Sequence, residues 1–329
     1  MNIIFFGAQP YDINTFTQAN TEFGFKIRFV PEKLSINTVN TIQDEIVLCA
    51  FVNDVLDNEV IHALSKTSIK LIALRCAGFN NVDLNAAQQF GIQVVRVPAY
   101  SPYSVAEHTF GLILALNRRT PRAFNRVRDG NFSLNGLLGF DLNGKTLGII
   151  GVGKIGSVVA KIAKGFGMNV LAYDIQTDRE SVDGDISYVE QDHLFSHSDI
   201  ISIHCPLTEK TQHLINEKTL SLMKPNVMLI NTSRGAVLDT EAVIRCLKSK
   251  KIGYLGLDVY EQESELFFQD LSSEIIQDDI FERLLTFPNV LITAHQGFFT
   301  EDALNNIART TLSNIDEFKK KIPLTNVVS

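Results

Sequence analysis

Leu147-Gly148-Ile149-Ile150-Gly151-Val152-Gly153-Lys154-Ile155-Gly156 is an apolar, strand-like run that breaks into three glycines spaced GxGxxG, and helix-forming sequence follows it. In that strand–turn–helix setting each glycine has a physical reason. Gly151 permits a tight turn, Gly153 lets the backbone approach a pyrophosphate, and Gly156 lets helix and strand pack closely. The start of the helix, at Lys154 and Ile155, then presents unpaired N–H groups to that pyrophosphate. The next apolar run, Asn169–Tyr173, ends at Asp174, which follows Gly156 by 18 positions. A carboxylate at that place accepts hydrogen bonds from the adenosine ribose hydroxyls and repels a 2′-phosphate. The following Ile175, Gln176 and Thr177 offer no arginine to such a phosphate. The pairing points to a dinucleotide site for NAD rather than NADP, against the alternative of a tight turn with no ligand.

Outward from this motif, short apolar runs alternate with helix-length amphipathic stretches, the pattern of parallel α/β sheets. Ile3–Phe6, Ile46–Phe51, Leu71–Leu74 and Val94–Val97 form a first strand series, with helices at Asn58–Ser65 and Asn85–Phe90. A second series comprises Leu147–Ile150, Val170–Tyr173, Ile200–Ile203, Val227–Ile230, Tyr254–Leu257 and Val290–Thr293, with helices such as Ile155–Phe166 and Glu241–Ser249. Between them, Val97-Pro98-Ala99-Tyr100-Ser101-Pro102 reads as an extended, stiff link because of its two prolines. A long helix is expected from Ser104 to Leu116, and a last one from Glu301 to Phe318. No strand of the second series follows that last helix, so the chain is expected to return to the first domain. The boundaries are therefore residues 1–100 plus 299–329, and 101–298.

Composition bounds the function. The 329 residues are 45% hydrophobic and 20% charged, an ordinary globular balance. A net charge of -7 argues against a general nucleic-acid binder, which needs a basic face. Cys49, Cys76, Cys205 and Cys246 form no CxxC pair, no metal-site spacing occurs, and free thiols fit a reducing cytoplasm. The N-terminus lacks the features of a signal peptide, and no run reaches the roughly 18 apolar residues of a membrane span.

Three strand ends carry chemistry. Asn231-Thr232-Ser233-Arg234-Gly235 follows one strand, Asp258-Val259-Tyr260-Glu261-Gln262-Glu263 the next, and Thr293-Ala294-His295-Gln296 the last. Ligands of an open parallel sheet sit at the carboxyl ends of its strands. Arginine there can clamp a carboxylate with two parallel N–H bonds, and a histidine beside a carboxylate is an acid/base device. Taken singly, each has a plain alternative: a surface ion pair for Arg234, a structural histidine for His295.

Together with Leu74–Asp83, Val95–Pro102 and His204–Thr208, these segments resemble the D-isomer-specific 2-hydroxyacid dehydrogenases over nearly the whole chain. The resemblance implies an α/β fold of two Rossmann-like/flavodoxin-like parallel-sheet domains with an active-site cleft between them. It implies reduction of pyruvate to D-lactate by NADH, with Arg234, Glu263 and His295 as the catalytic set, and it selects Glu263 over Glu261. His295 would give the proton, Glu263 would orient it, and Arg234 would hold the substrate carboxylate. Carried over in the same way, Lys154, Ile155, Asp174, Cys205, Pro206, Thr211, Thr232, Ser233, Arg234 and Asp258 would line the NAD site beside the three glycines. Gly78, Phe79, Tyr100, Arg234, His295 and Phe298 would meet the substrate. A homo-oligomer, dimer or tetramer, is implied as well, without membrane or nucleic-acid partners.

Alternatives stay open. Tyr100, Phe298 and Phe299 could wall a substrate pocket or only pack between domains. The basic stretch from Arg118 to Arg128 could serve an anionic effector or be a solvated helix end. The apolar helix around Ser104–Leu116 could be buried in its own domain or at a subunit interface, and His108 within it reads as a satisfied histidine. A family relative for a larger 2-oxo acid, or an NAD-binding regulator without turnover, are the rival functions.

Overall fold

The structure, a computed structural model, describes residues 1–175 and 186–328. The chain divides into two compact units, Met1–Ser101 with Phe299–Ser329, and Pro102–Phe298.

The first unit is built on β1 (Asn2–Phe5), β2 (Lys26–Phe29), β3 (Val47–Ala50), β4 (Leu71–Leu74) and β5 (Gln93–Val95). They pair in parallel in the order β2-β1-β3-β4-β5. β3 and β4 are unbroken apolar runs and fully buried, as strands covered on both faces must be. Helices α1 (Pro10–Ala19), α2 (Asn58–Ser65) and α3 (Leu84–Gln89) lie between strands. Asp57 and Asp83 start α2 and α3 by accepting from the Val60 and Ala86 N–H groups. The last helix, α11 (Glu301–Lys320), packs on α1 and β4 through a stripe at Ala303, Ile307, Ala308, Thr311, Leu312 and Ile315.

At the carboxyl end of this sheet sits a buried charge. Arg75, only 3% exposed, follows β4 and lies between the Phe5 and Phe51 rings, 4.4 and 4.8 Å from their centroids. Its Nη2 donates to the Gly7 carbonyl at 3.2 Å, and its Nε is 3.7 Å from the Asp12 carboxylate. Asp54, also buried, accepts from the Leu34 and Phe51 N–H groups at 2.6 Å each. Burial pushes the Asp12 and Asp54 carboxyls up, against the pull of Arg75. The cluster thus ties together the loops after β1, β3 and β4.

The second unit opens with α4 (Pro102–Arg118) and α5 (Thr120–Arg128). Its sheet contains β6 (Thr146–Ile150), β7 (Asn169–Tyr173), β8 (Ser187–Tyr188), β9 (Ile200–Ile203), β10 (Val227–Asn231), β11 (Ile252–Leu257) and β12 (Val290–Ile292). The order is β12-β11-β10-β9-β6-β7-β8, all parallel. Helices α6 (Lys154–Gly165), α7 (Gln191–His197), α8 (Glu217–Leu222), α9 (Thr240–Lys248) and α10 (Asp279–Leu285) complete it. From β6 the chain winds one way to β7 and β8, then returns to β9 and winds the other way. The crevice at that reversal, at the carboxyl ends of β6 and β9, is where such sheets bind ligands. Two apolar layers flank the sheet, one around Leu229, Leu255 and Leu284, the other around Ile113, Leu147 and Val159.

Several local expectations need correction. α1, β2 and β8 are additional to the strands and helices read above. β2 alternates on a half-exposed edge and β8 is two residues long, so neither makes a continuous apolar run. Pro102 opens α4 rather than extending the link before it, because proline's fixed φ and missing N–H suit a first helical position. α4 packs within its own unit, on α6 and on β10 and β11. The basic stretch forms α5, which buries no residue. Among the described residues no helix is long and apolar enough to cross a membrane.

Replacing Arg75 by methionine leaves two buried carboxylates facing an apolar group. Urea titration is expected to find the first unit less stable by roughly 3–5 kcal/mol. A loss below about 1 kcal/mol would mean that Arg75 balances no buried negative charge.

Candidate active site

Gly151 ends β6 with φ +92°, a conformation few side chains tolerate, and a Cβ there would lie 2.7 Å from the Cys205 nitrogen. The glycine turn therefore nests against the chain leaving β9. A Cβ on Gly156 would collide with the Gly151 carbonyl, so helix and turn touch only because residue 156 is glycine. Gly153 precedes α6, and no side chain among the described residues caps that helix, so its first N–H groups are available to a ligand. Asp174 closes the arrangement: its Oδ2 accepts from the Val152 N–H at 2.7 Å. Of the residues after it, Gln176 and Thr177 lie outside the described residues.

Around this turn the chain leaving β9 is held by side chains. Ser233 Oγ donates to the Cys205 carbonyl. Thr211 Oγ1 donates to the Pro206 carbonyl at 2.6 Å, closing the loop that contains both. Burial pushes the Cys205 thiol up to about 11. It pushes the His204 imidazole down to about 3, and His204 meets Ser202 Oγ through Nε2 at 2.8 Å.

The turn after β10 is set by Asn231, which is fully buried. Its amide donates to the Arg234 carbonyl at 2.9 Å and its Oδ1 accepts from the Ser233 N–H at 3.0 Å. Thr232 Oγ1 lies 3.0 Å from Thr109 Oγ1 of α4. Arg234 comes out half-buried, its Nη1 donating to the Ser233 carbonyl at 2.7 Å.

β11 and β12 end side by side, and their turns are laced together. Asp258 accepts from Thr293 Oγ1 at 2.6 Å and from the Gln296 and Gly297 N–H groups at 2.9 Å each. His108 Nε2 lies 3.2 Å from the same carboxylate. Burial pushes the Asp258 carboxyl up, but the His108 and Thr293 hydrogen bonds outweigh it and hold the group below its usual range. The lacing turns His295 to φ +53°, with its N–H on the Asp258 carbonyl at 2.7 Å. His295 Nδ1 then meets Glu263 Oε1 at 2.7 Å, while Glu263 Oε2 accepts from the Tyr260 N–H at 2.9 Å. Both side chains are mostly buried, at 16% and 21% exposure. The Phe268 and Phe298 rings stand 5.7 and 6.4 Å from the imidazole.

The structure thus brings Glu263 and His295 together, and it sends Glu261 elsewhere, to His213 and Thr240. Arg234 ends the strand next to the one that carries Glu263. Gly78, Phe79 and Tyr100 belong to the first unit. There the carbonyls of Cys76, Ala77, Gly78 and Phe79 all accept hydrogen bonds, from Val97 N–H, Arg96, the Cys76 thiol and Val82 N–H respectively. The Ala77, Gly78 and Phe79 N–H groups have no protein hydrogen-bond partner among the described residues. Phe299 packs its ring on Tyr11 at 4.8 Å. His108, Asn231 and Phe268 carry site geometry that the sequence reading did not assign to them. The partners of His108 and Phe268 are remote in sequence, whereas Asn231 acts locally, on Ser233 and Arg234.

The family model of the D-isomer specific 2-hydroxyacid dehydrogenase NAD binding domain matches residues 110–297. The chain belongs to that dehydrogenase family. It is 50% identical over 319 residues to 2-hydroxyacid dehydrogenase homolog 1 of Schizosaccharomyces pombe, spanning 97% of this chain and 96% of that one. It is 49% identical over 320 residues to D-lactate dehydrogenase of Escherichia coli (strain K12), spanning 97% of each. The apo-structure of D-lactate dehydrogenase from Escherichia coli matches with a TM-score of 0.91 at 46% identity over 100% of both chains. D-lactate dehydrogenase from Aquifex aeolicus, in complex with NAD and lactic acid, matches with a TM-score of 0.88 at 37% identity over 99% of both.

NAD is the cofactor of this dehydrogenase, and the residues fit it. The uncapped start of α6 suits a pyrophosphate, and the Asp174 carboxylate beside the glycine turn suits a ribose diol. Asp174→Ala is expected to weaken NADH binding about tenfold or more, the cost of a charge-assisted hydrogen bond, and NADPH binding much less. Titration by nicotinamide fluorescence reads both, and equal weakening would remove Asp174 from cofactor discrimination.

Proposed function

We propose that the chain is an NAD-dependent D-lactate dehydrogenase that reduces pyruvate. The observation that carries the reading is the 2.7 Å Glu263–His295 pair at the end of two strands adjoining the Arg234 turn. The identity with E. coli D-lactate dehydrogenase supports the substrate and the hand of the product.

Bound NADH supplies the hydride that goes to the carbonyl carbon. Arg234 pairs with the pyruvate carboxylate and draws electron density from the carbonyl. With Nδ1 committed to Glu263, Nε2 of His295 is the nitrogen that gives its proton to the forming alkoxide. Glu263 fixes the ring's tautomer and balances the charge of the protonated imidazole. The tie from Tyr260 N–H to Glu263 keeps that carboxylate from swinging away. D-lactate leaves, and His295 takes a new proton from solvent.

NADH oxidation should be fastest, by kcat/KM, with pyruvate among pyruvate, 2-oxobutyrate, hydroxypyruvate and phenylpyruvate, and a chiral assay should find D-lactate. His295→Gln and Arg234→Ala should each lose about 10²-fold or more in kcat/KM while still binding NADH. Preference for phenylpyruvate would overturn the substrate, and near-normal turnover in either variant would overturn that residue's role.

The same reading includes assembly with a second copy. Around α5 the chain exposes Phe124, Val127, Phe132, Leu134 and Leu138, the last at 86%, side chains that a second copy could cover. Sedimentation of a monomer at micromolar concentration would refute it.

A further inference from the structure

The turn after β11 carries three carboxylates, and the proposed reaction accounts for only two of them. Asp258 holds the turn that bears His295, and Glu263 meets His295 itself. Glu261, between them, faces away from the imidazole. Its Oε1 lies 2.6 Å from His213 Nε2, and its Oε2 accepts from Thr240 Oγ1 at 2.9 Å. We propose that Glu261, gripped by His213 and Thr240, is a positioning residue that fixes the turn carrying Glu263 and so aligns the Glu263–His295 pair. This rests on the acid/base reading of that pair given above.

A solvent-exposed ion pair would contribute little. Four features set this one apart. First, both carboxylate oxygens are engaged, and Thr240 is buried at the start of α9. Second, the Tyr260–Glu261 peptide packs directly on Gly235, where any Cβ would strike the Tyr260 carbonyl and the Glu261 nitrogen. Glu261 is therefore pressed against the turn that carries Arg234. Third, His213 is itself held. It stands at φ +49°, its N–H donates to the Ala236 carbonyl at 2.8 Å, and its carbonyl accepts from the Asn216 amide at 2.8 Å. Fourth, Tyr260 adjoins Glu261 and supplies the N–H that fixes Glu263 Oε2.

Three segments meet at Glu261: the loop before α8 through His213, the start of α9 through Thr240, and the turn after β10 through Gly235. Releasing Glu261 lets the turn from Val259 to Glu261 shift, including the Val259–Tyr260 peptide that carries the N–H bonded to Glu263. The Tyr260 N–H then leaves Glu263, and the alignment with His295 Nδ1 goes with it. A reacting group misplaced by about 1 Å costs up to about a hundredfold in rate, which is the lever this grip controls. Binding of substrate and cofactor does not depend on that alignment, so the loss should fall on kcat.

The test compares wild type with Glu261→Ala, His213→Ala and His213→Gln. The glutamine side chain can place an amide N–H near the position of Nε2. Steady-state rates with pyruvate give kcat and KM, nicotinamide fluorescence gives the NADH affinity, and thermal melts check folding. A further readout needs no turnover: the downfield proton resonance of a histidine Nδ1–H bonded to a carboxylate, assigned by its loss in His295→Gln. Both alanine variants should lose about tenfold to a hundredfold in kcat, with KM and NADH affinity within about threefold, and should shift that resonance. His213→Gln should recover most of both. Unchanged kcat and resonance in Glu261→Ala would overturn the inference, as would a loss confined to KM or an equal loss in His213→Gln. A wild type inactive on every 2-oxo acid whose resonance still shifts in Glu261→Ala would overturn the proposed function and leave the positioning role standing.

Discussion

The Asp258 carboxylate accepts from Thr293 Oγ1 and from the Gln296 and Gly297 N–H groups, and through these bonds the chain leaving β12 is folded back over the end of β11. His295 lies inside that fold-back, at φ +53°. A residue in the left-handed region pays a local conformational cost of about 1 kcal/mol or more, and it stays there only when its surroundings over-determine it. Asp258 does so from both sides, since its backbone carbonyl also takes the His295 N–H. A buried carboxylate with so many donors is ionised, and the charge it brings into a nearly dry place is met by His108 and Thr293. Without that anchor the imidazole would have no reason to face Glu263.

Gly235 lets the turns after β10 and β11 touch backbone to backbone, and Gly151 does the same for the glycine turn and the chain leaving β9. Both contacts lie at the carboxyl edge of one parallel sheet. The sheet sets its strands about 4.8 Å apart. It therefore fixes the spacing of Arg234, Glu263 and His295 before any side chain interacts. The side-chain bonds add orientation to positions that the backbone has already chosen.

The glycine motif and Asp174 were legible in the sequence because their chemistry is local: one strand, one turn, one helix and the end of the next strand. The division of labour among Asp258, Glu261 and Glu263 was not legible. Their partners at Thr293, His213 and His295 lie tens of residues away, and all three carboxylates look alike in a list of strand-end residues. Family resemblance selected Glu263, and the 2.7 Å contact supplies a physical reason for that choice. β2 and β8 escaped because edge strands need not be apolar on both faces, and α4 began early because a proline that breaks a helix interior can open a helix.

The two units handle buried charge in opposite ways. In the first, Arg75 is sandwiched by Phe5 and Phe51 and faces Asp12, with Asp54 close by, an arrangement that fastens three loops and leaves the cation inaccessible. In the second, the group paired with a carboxylate is a histidine, His295, and its partner Glu263 keeps one oxygen for it and one for a backbone N–H. An arginine cannot give up its proton near neutral pH, whereas an imidazole can. The permanent charge is thus placed where only rigidity is required. In the proposed reaction the exchangeable one is His295, whose side chain is 16% exposed.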